Sequence, residues 1–161
     1  MGDRALPGAG DRVSRTLEVA YRHLNRRERT EAELRAHLNG KGFAAEADAA
    51  LAILHDEGYV DDVRFARMFA QDKRLLEQWG SERIERALLA RGIARELAAA
   101  AAGDQPPEAE AERARELLER RFRSPPVDAR ERERALGVLL RKGFDSELAI
   151  EAVASYARDA R

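Results

Sequence analysis

Leu38-Asn39-Gly40-Lys41-Gly42-Phe43, Leu88-Leu89-Ala90-Arg91-Gly92-Ile93 and Leu139-Leu140-Arg141-Lys142-Gly143-Phe144 are three versions of one pattern. Their shared glycines, Gly42, Gly92 and Gly143, lie 50 and then 51 residues apart. Each stretch reads as a helix ending. An apolar residue and a basic residue fill the last turn, a glycine follows, and a large apolar residue comes next. Glycine takes the left-handed conformation just past a helix without a Cβ penalty, and the apolar residue after it folds back on the last turn. The basic side chain suits the partial negative charge at the helix C-terminus. Three such endings at one period predict a single helical module used three times, hence an elongated helical array.

Composition supports an all-α chain. Hydrophobic residues make up 44% and charged residues 37% of the 161 residues. The chain holds 7 Val, 4 Ile and 2 Thr, too few β-branched residues for a sheet protein. There are no cysteines, so disulfide and thiol chemistry are excluded. No apolar run approaches the roughly 18 residues that span a membrane, and the expected location is the cytoplasm. The net charge of −1 gives no strong overall field for nucleic acid. Its distribution is uneven: the balance is +4 over residues 12–29, −3 over 30–76 and +2 over 127–143.

Working outward from the three endings gives the organisation. Residues 1–11, with Gly2, Pro7, Gly8 and Gly10, read as a disordered leader. Residues 12–29 form an N-terminal basic helix, with Val13, Leu17, Ala20, Tyr21 and Leu24 on one face. Repeat 1 spans 30–78. It opens on a Thr30/Glu33 capping box, and Leu34, Leu38, Ala47, Leu51 and Leu54 point inward. Gly58-Tyr59-Val60-Asp61-Asp62 then leads into a helix with Phe65, Phe69 and Leu76 on one face, beside Met68 and Leu75. Repeat 2 spans 79–124, opens at Trp79-Gly80 with Ser81 as N-cap, and has a thin core around the alanine run 98–102. Repeat 3 spans 125–161 and shows no obvious third helix.

No enzyme signature is present. There is no Gly-rich phosphate loop and no G-x-S-x-G. His23, His37 and His55 fall in separate helices with no metal-ligand spacing, which favours ordinary surface histidines. Asp61 and Asp62 are the adjacent acidic pair beside an aromatic residue, and their position before a helix favours capping over metal or acid–base chemistry. Trp79 beside Gly80 could stack on a base, but a single Trp at a repeat junction more often fills a packing gap. Lys41, Arg91, Arg141 and Lys142 recur in equivalent last turns. Such a ladder can follow a phosphate backbone or meet an acidic protein groove.

The string Arg29-Thr30-Glu31-Ala32-Glu33-Leu34, the ending Lys41-Gly42-Phe43, the block Gly58-Tyr59-Val60-Asp61-Asp62 with Phe65-Ala66, and Trp79-Gly80 resemble the RecX family over about residues 13–157. The resemblance implies three tandem three-helix repeats and no catalytic activity or cofactor. It implies a negative regulator of the RecA recombinase that binds the RecA–single-stranded DNA filament. Such a regulator limits filament extension, ATPase, strand exchange and the co-protease activity behind the SOS response. Weak direct DNA binding is secondary, and an extended array needs no second copy of itself. The alternative is a DNA-binding helical regulatory protein that acts independently of RecA.

The expected contact set is Lys41, Arg83, Arg86, Arg91, Arg120, Arg121, Arg141 and Lys142. The expected fold determinants are Gly42, Phe43, Tyr59, Asp61, Asp62, Phe65, Trp79, Gly80, Gly92, Gly143 and Phe144. Ile93 departs from the aromatic residue that follows Gly42 and Gly143.

Overall fold

A computed structural model of the chain describes residues 8–158. The described residues form nine helices and no strand. They are α1 (Ala9–Leu24), α2 (Glu31–Gly40), α3 (Ala47–Asp56), α4 (Asp62–Glu77), α5 (Ser81–Ala90), α6 (Arg95–Gly103), α7 (Pro107–Arg121), α8 (Ala129–Lys142) and α9 (Ser146–Arg158). The first seven residues of the expected leader lie outside the described residues, and its last three are the start of α1. Asp11 in the first turn suits the positive helix end and helps to extend the helix this far back.

The residues fall into two compact units. The first holds residues 8–65 with Arg91–Ile93, and the second holds Ala66–Ala90 with 94–158.

In the first unit α1, α2 and α3 pack on one another. Ala20, Leu34, Leu38, Leu51, Leu54 and Val60 are fully or almost fully buried between them. The α2 start is closed three ways. Thr30 Oγ1 accepts from Glu33 N at 3.1 Å, Glu33 Oε2 accepts from Thr30 N at 3.2 Å, and Asp62 Oδ1 accepts from Glu31 N at 2.9 Å. Asp61 caps α4 through Arg64 N at 2.9 Å. The two aspartates therefore serve two different helices.

In the second unit α7, α8 and α9 pack together around Leu118, Leu139 and Phe144, each with no exposed surface. The last helical set has three helices, because α7 packs with α8 and α9. Helix α6 packs closely on α5, with Ala98, Ala101 and Ala102 buried. Arg74 Nη2 of α4 closes its end by donating to the Ala101 and Ala102 carbonyls, each at 2.7 Å.

Two expectations fail here. Leu76 is 80% exposed and Leu75 69%, so the buried face of α4 stops at Phe65, Phe69 and Ala70. Ser81 does not cap α5 with its oxygen. Its hydroxyl instead donates to Glu110 Oε2 at 2.6 Å, and its N–H donates to Glu110 Oε1 at 2.8 Å. The carboxylate of α7 thus supplies the anion at the positive end of α5.

A basic groove as candidate interface

The three repeated glycines do take positive φ, at +85°, +80° and +85°. Two of the three endings pack on the start of another helix. Thr30 Oγ1 donates to the Arg91 carbonyl at 2.7 Å, and the open side of Gly92 faces the Ala32 Cβ. In the second unit Gly80 N donates to the Lys142 carbonyl at 2.9 Å, and Glu82 N donates to the Gly143 carbonyl at 3.1 Å. A Cβ on Gly80 would collide with the Gly143 carbonyl and Phe144 N. Glycine is required at position 80 by this backbone approach.

The joint between Gly80 and Gly143 brings basic side chains together. Arg83 of α5, Arg121 at the end of α7, and Arg134, Arg141 and Lys142 of α8 line adjoining open grooves that share Arg121, Val138 and Arg141. No carboxylate lines either groove. Arg83 lies 4.2 Å over the Trp79 ring and donates to the Arg141 carbonyl at 3.1 Å. Lys142 Nζ donates to the Glu77 carbonyl at 2.7 Å. Both therefore have places in the fold as well as in the groove. Arg121 and Arg141 are exposed.

The rest of the expected contact set is dispersed. Arg91 is held by Glu33, at 2.7 Å from Nε to Oε1 and 2.9 Å from Nη2 to Oε2, and lies 4.5 Å over Phe65. Arg86 donates to the Glu82 carbonyl, and Arg120 pairs with Glu116 on its own helix at 3.2 Å. Lys41 lines a different cleft in the first unit, with Arg22, His23, Arg26 and His37.

Arg134 was not among the expected contacts. It joins the groove because residue 134 lies seven residues before Arg141, two helical turns along one face. That spacing was available in the sequence.

Of the expected fold determinants, Phe144 and Phe65 are buried and Phe43 is half-buried. Trp79 is held edge-on by Phe69 and lies beneath Arg83 and Lys73. Tyr59 is 53% exposed and meets Tyr21 edge to face, at 5.2 Å between centroids. No group of three or more potential metal-ligating side chains occurs among the described residues. No helix among them is long and apolar enough to cross a membrane.

Three family models match the chain: RecX, first three-helix domain, over residues 17–52; RecX, second three-helix domain, over 61–101; and RecX, third three-helix domain, over 108–153. The chain belongs to the RecX family. A curated relative named Regulatory protein RecX, from Amycolatopsis mediterranei, is 32% identical over 152 residues, covering 92% of this chain and 87% of its own. Another of that name, from Chromohalobacter salexigens, is 38% identical over 136 residues, covering 84% and 88%. The crystal structure of RecX from Lactobacillus salivarius matches the fold with a TM-score of 0.83 at 19% identity, over 92% of this chain and 98% of that one.

The RecX frame groups α1–α3, α4–α6 and α7–α9. The repeat boundaries expected from the sequence begin each unit one helix later. In the RecX frame the glycine endings all follow the middle helix of a domain.

Proposed function

We propose that this RecX-family chain is a non-enzymatic negative regulator of RecA. It binds the RecA–single-stranded DNA filament and limits its extension, ATPase, strand exchange and co-protease activity. RecX membership supports the regulatory role. The groove of Arg83, Arg121, Arg134, Arg141 and Lys142 is the observation that carries a filament contact, because it is open and free of carboxylates. Such a surface suits DNA phosphates or an acidic protein face, and arginine can hold either anion with two parallel hydrogen bonds.

The groove also suits the second reading, a DNA-binding regulator that acts without RecA. Co-sedimentation separates the two. The chain is expected to pellet with RecA filaments on single-stranded DNA far more strongly than it is retained by that DNA alone. Equal retention by bare DNA, falling steeply with salt, would favour the second reading.

A further inference from the structure

The first unit has its own basic cleft, remote in sequence from the groove of the second. It is lined by Arg22, His23, Arg26, His37 and Lys41, and its one apolar lining residue is Val19. The His23 and His37 rings are stacked, with centroids 3.7 Å apart and planes 7° from parallel. Both histidines lie in the last turn of their helices, α1 and α2, where the carbonyl ends favour an imidazolium.

The charged groups that face the pair are Arg26 from just past α1, Arg29 from the turn before α2, and Glu33 and Lys41 from α2 and its end. Glu33 is the single acid among them, and its two oxygens are engaged by Arg91. Arg22 completes the cleft from α1. On α3, His55 pairs with Glu31 at 3.0 Å.

Burial, and then the surrounding cations, hold both imidazoles below the ordinary histidine range. For His23 the neighbouring His37 adds to this effect. Both influences favour the neutral rings. Neutral rings stack without penalty, whereas two imidazolium rings at this separation repel each other. An anion in the cleft offsets that repulsion. By linkage, an anion that prefers the protonated pair raises the affinity of the pair for protons by the same factor.

We propose that this cleft is a proton-dependent phosphate site that takes the phosphodiester backbone of single-stranded nucleic acid. The cleft is open, so a chain can pass through it. Its exposed Arg22, Arg26 and Lys41 offer cationic groups to phosphates in the cleft that the histidine pair also lines. Protonation adds positive charge where burial otherwise suppresses it. The proposal stands independently of RecA as the partner.

The test is fluorescence anisotropy of a labelled oligothymidylate, without RecA and at fixed ionic strength, at about pH 5.5 and about pH 7.5. The full chain is expected to bind roughly three- to tenfold more tightly at the lower pH. The double variant His23→Gln, His37→Gln should keep its affinity at the higher pH and lose the tightening. The variant Arg121→Glu, Arg141→Glu should bind more weakly at both values and keep the tightening. Absence of tightening in the natural chain, or undiminished tightening in the Gln variant, would overturn the proposal.

Should the Gln variant fail to show a normal melting transition, exposed Lys41→Gln serves instead. It should weaken binding at both values and keep the tightening, and unchanged binding at both would overturn the site. Polyglutamate should displace the oligonucleotide far less well than unlabelled oligothymidylate at the same charge concentration. Equal displacement would assign the cleft to acidic peptide and overturn the nucleic-acid assignment.

Discussion

The Arg91 guanidinium holds both oxygens of Glu33, at 2.7 and 2.9 Å, while its face lies 4.5 Å over the Phe65 ring. Glu33 is also the carboxylate of the capping box that begins α2. One arginine thus holds the carboxylate at the start of α2 and shields an aromatic core residue. Arg91→Ala should destabilise the chain by about 1–3 kcal/mol, because it leaves a half-buried carboxylate short of its partner. Arg91→Lys should recover little of this, since an ammonium cannot reproduce the paired geometry. Thermal melts of the two variants check both statements.

The same pair carries an acid-side signature. Burial pushes the Glu33 carboxyl up, but the hydrogen bonds from Arg91 and from the Thr30 backbone outweigh it and hold the carboxyl below its usual range. A depressed folded value means the stabilisation is complete above the ordinary Glu range and is lost as pH falls through the lower, folded value. The melting temperature of the natural chain should therefore drop more between neutral and acid pH than that of Arg91→Ala. Parallel pH profiles would contradict this assignment.

Gly42 and Gly143 occupy the same place in the repeat and share a φ of +85°, yet their surroundings differ. A Cβ on Gly42 would meet open space, whereas on Gly143 it would strike Arg83. Gly42→Ala should cost only the left-handed backbone strain, about 1–2 kcal/mol. Gly143→Ala should cost that and a further roughly 1–3 kcal/mol of steric conflict. Chemical denaturation of the two variants gives the comparison directly.

These glycines also show how far the sequence could be read. The left-handed endings, the Thr30–Glu33 box and the inward Leu34, Leu38, Ala47, Leu51 and Leu54 were legible because each follows from local spacing. The unit frame was harder to read. A period of about 50 residues fixes the repeat length but leaves open which helix comes first.

Leu75 and Leu76 fit the apolar face of α4 by periodicity alone, and only tertiary packing leaves them exposed. The basic ladder was half legible. Arg91 and Lys142 recur in equivalent last turns, but recurrence in a repeat also marks the residues that join it together. The contact of His23 with His37 depends on the crossing of α1 and α2, which no local pattern encodes.

Tyr21 offers a test of the packing of α1. Its hydroxyl donates to the Glu57 carboxylate, and that bond, with burial and charge, pushes its pKa up to about 12. The raised value means the interaction is fully present below the ordinary Tyr value of about 10 and is lost as pH climbs through the folded one. An ultraviolet titration should show a phenol ionising near pH 12 in the natural chain. Glu57→Gln should bring it down toward the ordinary range.

The groove makes a separable prediction. Arg121 and Arg141 are exposed and line it from α7 and α8. Reversing both to Glu should move stability by no more than about 1 kcal/mol, the usual range for exposed charges. The reversal should strongly weaken retention on RecA filaments. Normal retention by a normally folded variant would remove the groove from the interface.

The most direct measurement is RecA ATPase on single-stranded DNA, with this chain added at ratios well below one per RecA. A regulator that blocks filament growth acts at the growing end, so a small amount should progressively lower the activity, and Arg121→Glu, Arg141→Glu should lower it less. Undiminished ATPase up to equal amounts of the two proteins would contradict the RecA-regulator account.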